Sequence, residues 1–343
     1  MRQFCSFRSK KEEVKQIKTA AFINTIILHD NLIVCGMVNG RIKIWDMNAS
    51  GSLESTPPKV LEGHTKSVYS MSARENRLVS ASGGADKTIR VWDLDSYAQI
   101  HSISYENALP CLKMELTKSQ LILWYMSESR RSRGELVMFS YPEAESDLTR
   151  LAYEQNAVFN EDSRQNRVKL GDVSEQFSAV AYPTQIILFE NRAKEFFRIH
   201  EMKLKENQWV YLMTVFRKML LTVFREGEES LHGLIDDVVN VHDIRSNTVA
   251  YSLNWKWTLF SPLKSAFMTP FGIVATNTSE RAFTWHWEDL PENFQKVPCS
   301  FDVAPKRQSS YVMQWRHRIN AAMNVRGVAL VNEQRSHVYL LQY

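Results

Sequence analysis

The sequence has few of the residues that build disulfide-stabilised, zinc-binding or membrane-spanning proteins. Only four of its 343 residues are cysteines, and none of them forms a Cys-x-x-Cys pair: Cys5, Cys35, Cys111 and Cys299. This spacing suggests neither a disulfide framework nor a zinc site, and it fits a reducing compartment. No apolar run approaches the ~18 residues that cross a membrane. The charged start MRQFCSFRSKKEEVK lacks the apolar centre of a signal peptide, so we expect no such segment.

Excess charge, phosphate-binding glycine motifs and metal-binding histidine motifs are missing as well. Lys+Arg total 42 and Asp+Glu 38, so a net charge of +4 gives no general reason to expect nucleic acid or anionic lipid. Neither GxxxxGK nor GxGxxG occurs among only 12 glycines, and the nine histidines contain no HxH or HExxH. We therefore expect no cofactor and no metal. Hydrophobic residues at 44% and charged residues at 23% are typical of a globular chain.

Two segments of the chain are similar to each other. They are Asn31–Met47 and Arg77–Leu94, and each has a β-branched run, a turn rich in Gly, Asn or Asp, and an alternating run that ends in Trp-Asp. This pattern predicts strand, tight turn, strand. Trp45 and Trp92 stand 47 residues apart, a spacing typical of a repeat of four short strands.

The second segment resembles a WD repeat of the β-propeller family. The residues that carry the resemblance are Gly63-His64, Ser80-Ala81-Ser82, and the run from Asp86 to Trp92-Asp93. The resemblance is strong over residues 58–95 and fair over residues 19–47, and elsewhere it rests on the spacing of the pattern. It implies an all-β fold of four-stranded antiparallel blades.

Extending the period along the chain predicts seven blades. The slot of Trp45 and Trp92 is filled next by aromatic or apolar residues of alternating strands, at Phe139, Phe189, His242, His286 and Leu341. Seven slots in 343 residues give 49 residues per blade. The family norm is ~40–45 residues, so we expect some enlarged loops.

The chain ends predict how a seven-bladed ring closes. The last slot lies two residues before the C-terminus, so the seventh blade lacks an outer strand of its own. We expect the N-terminal segment Gln3–Lys15 to supply it, which leaves no open sheet edge at the seam. A single β-propeller domain then covers residues 1–343, with residues 1–17 as the closing strand and residues 18–343 as the seven blades.

Residues 207–225 are a segment where a helix competes with strands. The run VYLMTVFRKMLLTVF is long and apolar, but Val, Thr, Tyr and Phe dominate it. Arg217-Lys218 divides it into two runs of strand length, so we predict a hairpin.

Two interpretations compete for His64, Ser82, Asp86 and Trp92. Ser, His and Asp together form the catalytic triad of many hydrolases. In the WD-repeat family the corresponding residues form a buried network in which the Asp orients the His, the Ser hydroxyl bridges, and the Trp nitrogen donates a hydrogen bond. We favour this structural network and predict no catalytic residue. Ser80 and Ser82 fit the serine position equally well.

Two basic clusters are the predicted partner-binding site. The first lies between the middle strands of blade three and the second before the first strand of blade seven, so both loops are expected on one face. Their members are Arg130, Arg131, Arg133, Lys306, Arg307, Tyr311, Trp315, Arg316 and Arg318. Cations interleaved with aromatics suit an acidic tail, a phosphopeptide or single-stranded RNA. The alternative is that these residues are solvated loops.

An acidic loop, a long insertion and two tryptophan pairs also bear on where a partner could bind. An acidic loop on the same face is expected to oppose the basic clusters, with Glu226, Glu228, Glu229, Asp236 and Asp237. Asn156–Val168 is predicted to be a long polar insertion. The pairs Trp255/Trp257 and Trp285/Trp287 place both members on one face of a strand, where packing between blades is the first interpretation and a docking site at the rim the second.

The function that these observations favour is a non-catalytic protein–protein interaction scaffold or adaptor subunit of a multiprotein complex. The first alternative is a substrate receptor of a cullin-type ubiquitin ligase, because Asp243 and Arg245 match part of a Trp-Asp-x-Arg docking signature. The second is an RNA-binding or phosphopeptide-binding subunit, and an enzyme ranks last. We expect a protein that is monomeric within its complex, has no membrane span and resides in the cytoplasm, the nucleus or both.

Overall fold

The regular elements of the described residues are all β-strands. The computed structural model describes residues 15–49, 55–104, 110–126, 134–141, 152–159, 170–193, 195–206, 208–226, 237–255, 263–268, 272–277, 281–287, 299–302, 321–324, 327–331 and 337–342. These residues form twenty-eight strands, which confirms the all-β class. Branched and aromatic residues predominate in strands such as INTIILH and QWVYLMTVF, because they pack well on a pleated surface.

The strands form four-stranded antiparallel sheets that fall into two compact units, and the first unit holds three sheets. Sheet 1 contains β2 (Ile23–His29), β3 (Leu32–Met37), β4 (Ile42–Asp46) and β5 (Lys59–Leu61). Sheet 2 contains β6 (Val68–Arg74), β7 (Arg77–Ser82), β8 (Thr88–Asp93) and β9 (Gln99–Ser104). Sheet 7 contains β26 (Ala321–Asn324), β27 (Gly327–Val331), β28 (His337–Gln342) and β1 (Lys15–Lys18).

The second unit holds four sheets of the same kind. Sheet 3 contains β10 (Cys111–Leu116), β11 (Gln120–Met126), β12 (Gly134–Ser140) and β13 (Ala152–Phe159). Sheet 4 contains β14 (Leu170–Val173), β15 (Phe177–Ala181), β16 (Gln185–Asn191) and β17 (Phe196–Lys203). Sheet 5 contains β18 (Gln208–Phe216), β19 (Met219–Glu226), β20 (Asp237–Asp243) and β21 (Thr248–Trp255). Sheet 6 contains β22 (Leu263–Met268), β23 (Gly272–Asn277), β24 (Arg281–His286) and β25 (Cys299–Asp302).

Sheet 7 is assembled from both ends of the chain. Strand β1 pairs with β28 in an antiparallel register that sets Lys15 opposite Leu340 and Lys18 opposite His337. The pairing therefore begins at the last residue of the segment Gln3–Lys15 that the sequence proposed for this role, and residues 3–14 lie outside the described residues. Closure into one ring of seven blades stays a prediction.

A shift in register recurs at the same place in several sheets. It marks the position in the third strand that Trp92 occupies in sheet 2. The pairing of the third with the fourth strand shifts at Trp92, Phe139, Phe189 and His242 in sheets 2 to 5. A bulge of this kind increases the local twist of a strand. In sheet 6 the equivalent residue is Trp285, which pairs with Ile273 as Trp92 pairs with Leu78. The assignment of that slot to His286 was wrong by one residue.

The hairpin predicted for residues 207–225 is confirmed. Strands β18 and β19 pair from Gln208↔Glu226 to Phe216↔Met219, and Arg217 and Lys218 form the turn. Arg217 has a φ of 52°, the left-handed conformation that a tight turn of this type requires.

The core lies between neighbouring sheets of each unit. In the first unit, Trp92 of β8 packs in one apolar cluster with Val34 and Ile42 of sheet 1. In the second unit, Trp124 of β11 packs with Val173 and Phe189 of sheet 4. A Cβ atom at Gly134 or at Gly171 would overlap the Trp124 ring, so these two glycines give the indole its space.

Candidate interaction surface

A hydrogen-bonded chain of side chains lies inside sheet 2. His64 Nδ1 is 3.1 Å from Asp86 Oδ2, and His64 Nε2 is 2.8 Å from Ser80 Oγ. Trp92 Nε1 donates to the same Ser80 oxygen at 2.8 Å. The hydroxyl in this chain is therefore that of Ser80. Ser82 lies outside it and donates to the backbone carbonyls of Lys66 and Ser67 at 2.9 and 3.1 Å.

The protonation of this chain follows from its partners. Because Ser80 accepts from Trp92, its own proton points to His64 Nε2, and His64 donates from Nδ1 to Asp86. Burial lowers the pKa of His64 to about 4, which keeps the ring neutral at pH 7. The side chain of His64 is 0% exposed and Ser80 is 0% exposed. A substrate has no access to this serine and histidine, so their arrangement stabilises the blade and cannot serve hydrolysis.

Sheet 5 contains a variant of the same chain. His242 occupies the position of Trp92, and its Nε2 lies 3.1 Å from the hydroxyl of Thr222, which occupies the position of Ser80. Burial lowers the pKa of His242 to about 4. His242 Nδ1 has no hydrogen-bond partner among the residues that the structure describes. The histidine in this slot therefore fills space and makes one polar contact.

One residue of the predicted acidic loop, Asp237, does not lie in an exposed loop. Asp237 is 0% exposed and begins β20, where it accepts hydrogen bonds from Tyr211 Oη and, at 3.2 Å, from Arg225 Nε. The Arg225 guanidinium also lies 4.5 Å from the centre of the Tyr211 ring. Burial, followed by the nearby Asp237 charge, raises the pKa of Tyr211. Asp237 is thus a buried structural carboxylate rather than part of an exposed acidic loop.

Several predicted functional residues lie outside the described residues. This group contains every residue of the two basic clusters: Arg130, Arg131, Arg133, Lys306, Arg307, Tyr311, Trp315, Arg316 and Arg318. Glu228, Glu229, Asp236 and Trp257 lie outside as well, whereas Glu226 belongs to β19. The insertion predicted at residues 156–168 is wrong in its first part, because residues 152–159 form strand β13.

Trp255 packs between sheets 5 and 6. It is 2% exposed, and its ring meets Phe283 edge to face at a centroid distance of 4.7 Å and Trp285 at 6.1 Å. Edge-to-face contacts of this kind add to the burial of apolar area. The docking role at the rim is therefore wrong for Trp255, and the packing role is observed.

An exposed patch at one end of sheets 1 and 2 was not anticipated. Phe22 is 59% exposed and Val38, at the tip of the β3–β4 hairpin, is 40% exposed. The amide of Val38 donates to the Phe22 carbonyl at 2.9 Å, which holds the two residues side by side. No signal in the sequence separates Phe22 from the buried Ile23 beside it, so only the fold reveals the exposure.

Two lysines extend this patch. Ser67 Oγ donates to the Val38 carbonyl at 2.9 Å, so the segment that carries Lys66 lies against the hairpin tip. The Thr65 amide donates to the Asp86 carboxylate at 2.6 Å, which brings the same segment to Lys87. Both lysines are exposed, and neither ammonium group pairs with an acidic side chain of the described residues. We call Phe22, Val38, Lys66 and Lys87 the Phe22 surface.

A second exposed feature lies at the turn between β20 and β21. The Asp243 carboxylate accepts the backbone amides of Arg245 and Ser246 at 3.0 Å each, and the hydrogen bond from Ser246 is the main reason that the pKa of Asp243 is lowered. A similar hydrogen bond within a turn is present at Asp93, whose carboxylate accepts the amide of Ser96 at 2.7 Å. Arg245 is exposed, and its guanidinium makes no ion pair within the described part of the chain. Asp243 therefore shapes the turn, and Arg245 is the residue available to a partner.

In the described residues, no group of three His, Cys, Asp or Glu side chains is arranged to hold a metal ion. No helix in this part of the chain has the length and apolarity needed to span a membrane.

Comparison with known proteins identifies one repeat in the chain and relatives of part of it. The family model "WD domain, G-beta repeat" matches residues 55–93. The chain is 31% identical over 96 residues to Cell division control protein 4 of Saccharomyces cerevisiae, a match that covers 27% of this chain and 12% of that protein. It is 28% identical over 89 residues to the DDB1- and CUL4-associated factor 11 homolog of Caenorhabditis elegans, covering 25% of this chain and 16% of that protein. The matches thus span less than a fifth of either relative.

A solved structure of the same architecture covers nearly the whole chain. The β-propeller domain of Cps50 (Swd1) from Myceliophteria thermophila superposes with a TM-score of 0.60 over 94% of this chain and 98% of that domain, at 12% sequence identity. This likeness shows the fold, and residues 55–93 show the repeat. The chain therefore contains a WD repeat and has a β-propeller fold.

Proposed function

We propose that this protein is a non-catalytic interaction subunit that binds a partner protein through the Phe22 surface. The observation that carries the proposal is the 59% exposure of Phe22, beside a 40% exposed Val38, on sheets whose other large apolar side chains are mostly buried. Aromatic side chains at the centre of an interface supply much of its binding energy. The WD-repeat relatives support a scaffold or adaptor role in general terms.

The charge of the Phe22 surface indicates the chemistry of the partner. Lys66 and Lys87 flank the apolar pair, and the carboxylate of Asp86 beside Lys87 is buried and occupied by His64, Thr65 and Thr88. An acidic segment with an apolar anchor complements this arrangement, because rim charges steer association and an apolar centre provides affinity. We place such a complex in the cytoplasm or the nucleus.

The experiment is affinity purification from cells with quantitative mass spectrometry. Wild type is compared with a Phe22→Ser/Val38→Ser variant and with a Lys66→Glu/Lys87→Glu variant. We expect a defined set of partners to be lost with the first variant and reduced with the second. Phe197→Ser is the matched control, because Phe197 is 42% exposed on strand β17 and belongs to the second unit. Retention of every partner by both variants would refute the role of this surface.

A second candidate function is that of a substrate receptor of a cullin-4 ubiquitin ligase. The exposed Arg245 in a turn capped by Asp243 favours it, as does the similarity to a protein named for association with DDB1 and CUL4. The two residues of the signature have different structural roles. Asp243→Ala removes the carboxylate that accepts the turn amides, whereas Arg245→Ala leaves that hydrogen bonding intact. If the protein is such a receptor, Arg245→Ala should abolish its binding to the purified adaptor protein of the cullin-4 ligase. Arg217→Ala, at an exposed cation of the neighbouring turn, retains it.

A further inference from the structure

Strand β21 is the last strand of sheet 5 and carries no charged residue. Its sequence is TVAYSLNW, and the order of the sheet is β18-β19-β20-β21, so no strand of the described residues pairs with the other side of β21. Thr248, Val249, Ala250 and Ser252 are exposed, with Val249 at 51%. An outer strand of this length presents a row of backbone amides and carbonyls that fits another strand.

Among the strands that come fourth in the described sheets, as β21 does in sheet 5, most others carry charges that discourage such pairing. Strand β17 contains Arg198, Glu201 and Lys203, and the four-residue β1 contains Lys15 and Lys18. Strands β5, β13 and β25 contain one charged residue each and β5 has only three residues. Strand β9 is also uncharged but shorter, with six residues against eight in β21. Charged side chains on an edge are a common protection against association, and β21 lacks them.

Strand β21 is also held rigidly on its inner side. Tyr251 and Leu253 are partly buried and Trp255 is buried, and all three pack in the apolar cluster between sheets 5 and 6. The register with β20 runs from Asp237↔Trp255 to Asp243↔Thr248. A strand fixed in this way needs little ordering to accept a neighbour, which reduces the entropic loss on binding.

We propose that two copies of this protein associate through β21, with the two strands antiparallel about a twofold axis. An antiparallel strand pair is symmetric, so one edge serves as its own complement. Because β21 is uncharged, it can pair with a second copy of itself without repulsion between like charges. The same self-pairing at β1 would bring Lys15 and Lys18 of the two copies together. This association is independent of the Phe22 surface, which belongs to the first unit.

Sedimentation velocity on the purified full chain, from low to high micromolar concentration, tests the proposal. We expect wild type to shift from monomer to dimer as the concentration rises. Val249→Lys adds a charge to the exposed part of β21 in both copies and should weaken the dimer by about tenfold or more in Kd. Ser252→Lys should do the same, and Ser252→Ala should leave the dimer unchanged.

Two lysine substitutions on the fourth strands of sheets 1 and 2 are the matched controls. Val60→Lys on β5 and Ile100→Lys on β9 replace residues that are 42% and 40% exposed, and both variants should still form the dimer. Hydrogen exchange adds a measurement that does not depend on any variant: β21 amides of wild type should exchange more slowly at high concentration. A monomer at all concentrations overturns the proposal, as does a dimer that persists in both lysine variants of β21.

Discussion

At the scale of single residues, the structure separates positions that the sequence leaves equivalent. Ser80 and Ser82 both fit the serine of the WD-repeat network, and the hydrogen bonds select Ser80. The two residues lie two positions apart on β7, and thus on the same face of the strand, so alternation alone does not distinguish them. What distinguishes them is which carbonyls and rings lie within reach, and that is a property of the neighbouring strands.

Replacement of Ser80 should destabilise the protein more than replacement of Ser82. Ser80→Ala leaves the Trp92 indole N–H and His64 Nε2 buried without their partner, a change that typically costs about 1–3 kcal/mol. Ser82→Ala removes a hydroxyl that only donates to backbone carbonyls in this structure. Urea unfolding of the two variants measures the difference. Equal losses would contradict the assignment of Ser80 to the network.

Gly171→Ala should also destabilise the protein, because the added methyl group overlaps the Trp124 ring. Overpacking of a well-packed core costs roughly 1–3 kcal/mol. Trp124→Phe shortens the ring system, so the double variant should lose less than the sum of the two single variants. Unfolding free energies of the four proteins form the double-mutant cycle, and strict additivity would show that the two sites do not meet.

At the scale of strands and sheets, the pattern of the sequence predicts element type well and register poorly. The hairpin over residues 207–225 was predicted correctly because Arg217-Lys218 interrupts two strand-length runs. The slot of sheet 6 was assigned to His286 although Trp285 fills it, since the segment AFTWHW offers aromatic rings at neighbouring positions. A shift of one residue in register moves every side chain of a strand to the opposite face. Only the pairing with β23 determines the register of this segment.

Trp255→Ala should reveal how sheets 5 and 6 hold together. Trp255 is 2% exposed and contacts Phe283 and Trp285, so its truncation should lower the free energy of unfolding by about 3–5 kcal/mol. Thermal unfolding followed by circular dichroism measures the loss. Ser102→Ala, at an exposed position of β9, is the control and should be neutral. A stable Trp255→Ala protein would contradict the packing role.

At the scale of the whole molecule, two buried neutral histidines make stability depend on pH. Burial lowers the pKa of His64 and of His242 from 6.5 to about 4. In the unfolded chain both rings take up a proton as the pH falls through 6.5, whereas in the folded protein they stay neutral until about pH 4. The unfolded state therefore binds more protons in this window, and stability decreases as the pH falls from 6.5 towards 4.

His242→Phe isolates one of these two contributions. Phenylalanine already fills the same slot at Phe139 and Phe189, so the ring should be tolerated. Between pH 6.5 and pH 4 the variant should lose less stability on acidification than wild type, with a slope smaller by up to about 1.4 kcal/mol per pH unit. Urea unfolding at a series of pH values measures this slope. An unchanged slope would show that His242 is not buried in its neutral form.

The sequence by itself determined the all-β class, the WD repeat at residues 58–95 and the hairpin at Arg217-Lys218, because alternation and turn residues are local properties of the chain. Only the tertiary structure decided that Ser80 completes the network, that Asp237 is a buried carboxylate, and that Phe22 is exposed while its neighbour Ile23 is not. Burial and hydrogen bonding depend on strands that are distant in sequence. The period of two in a strand defines two faces, and the packing of neighbouring sheets decides what each face meets.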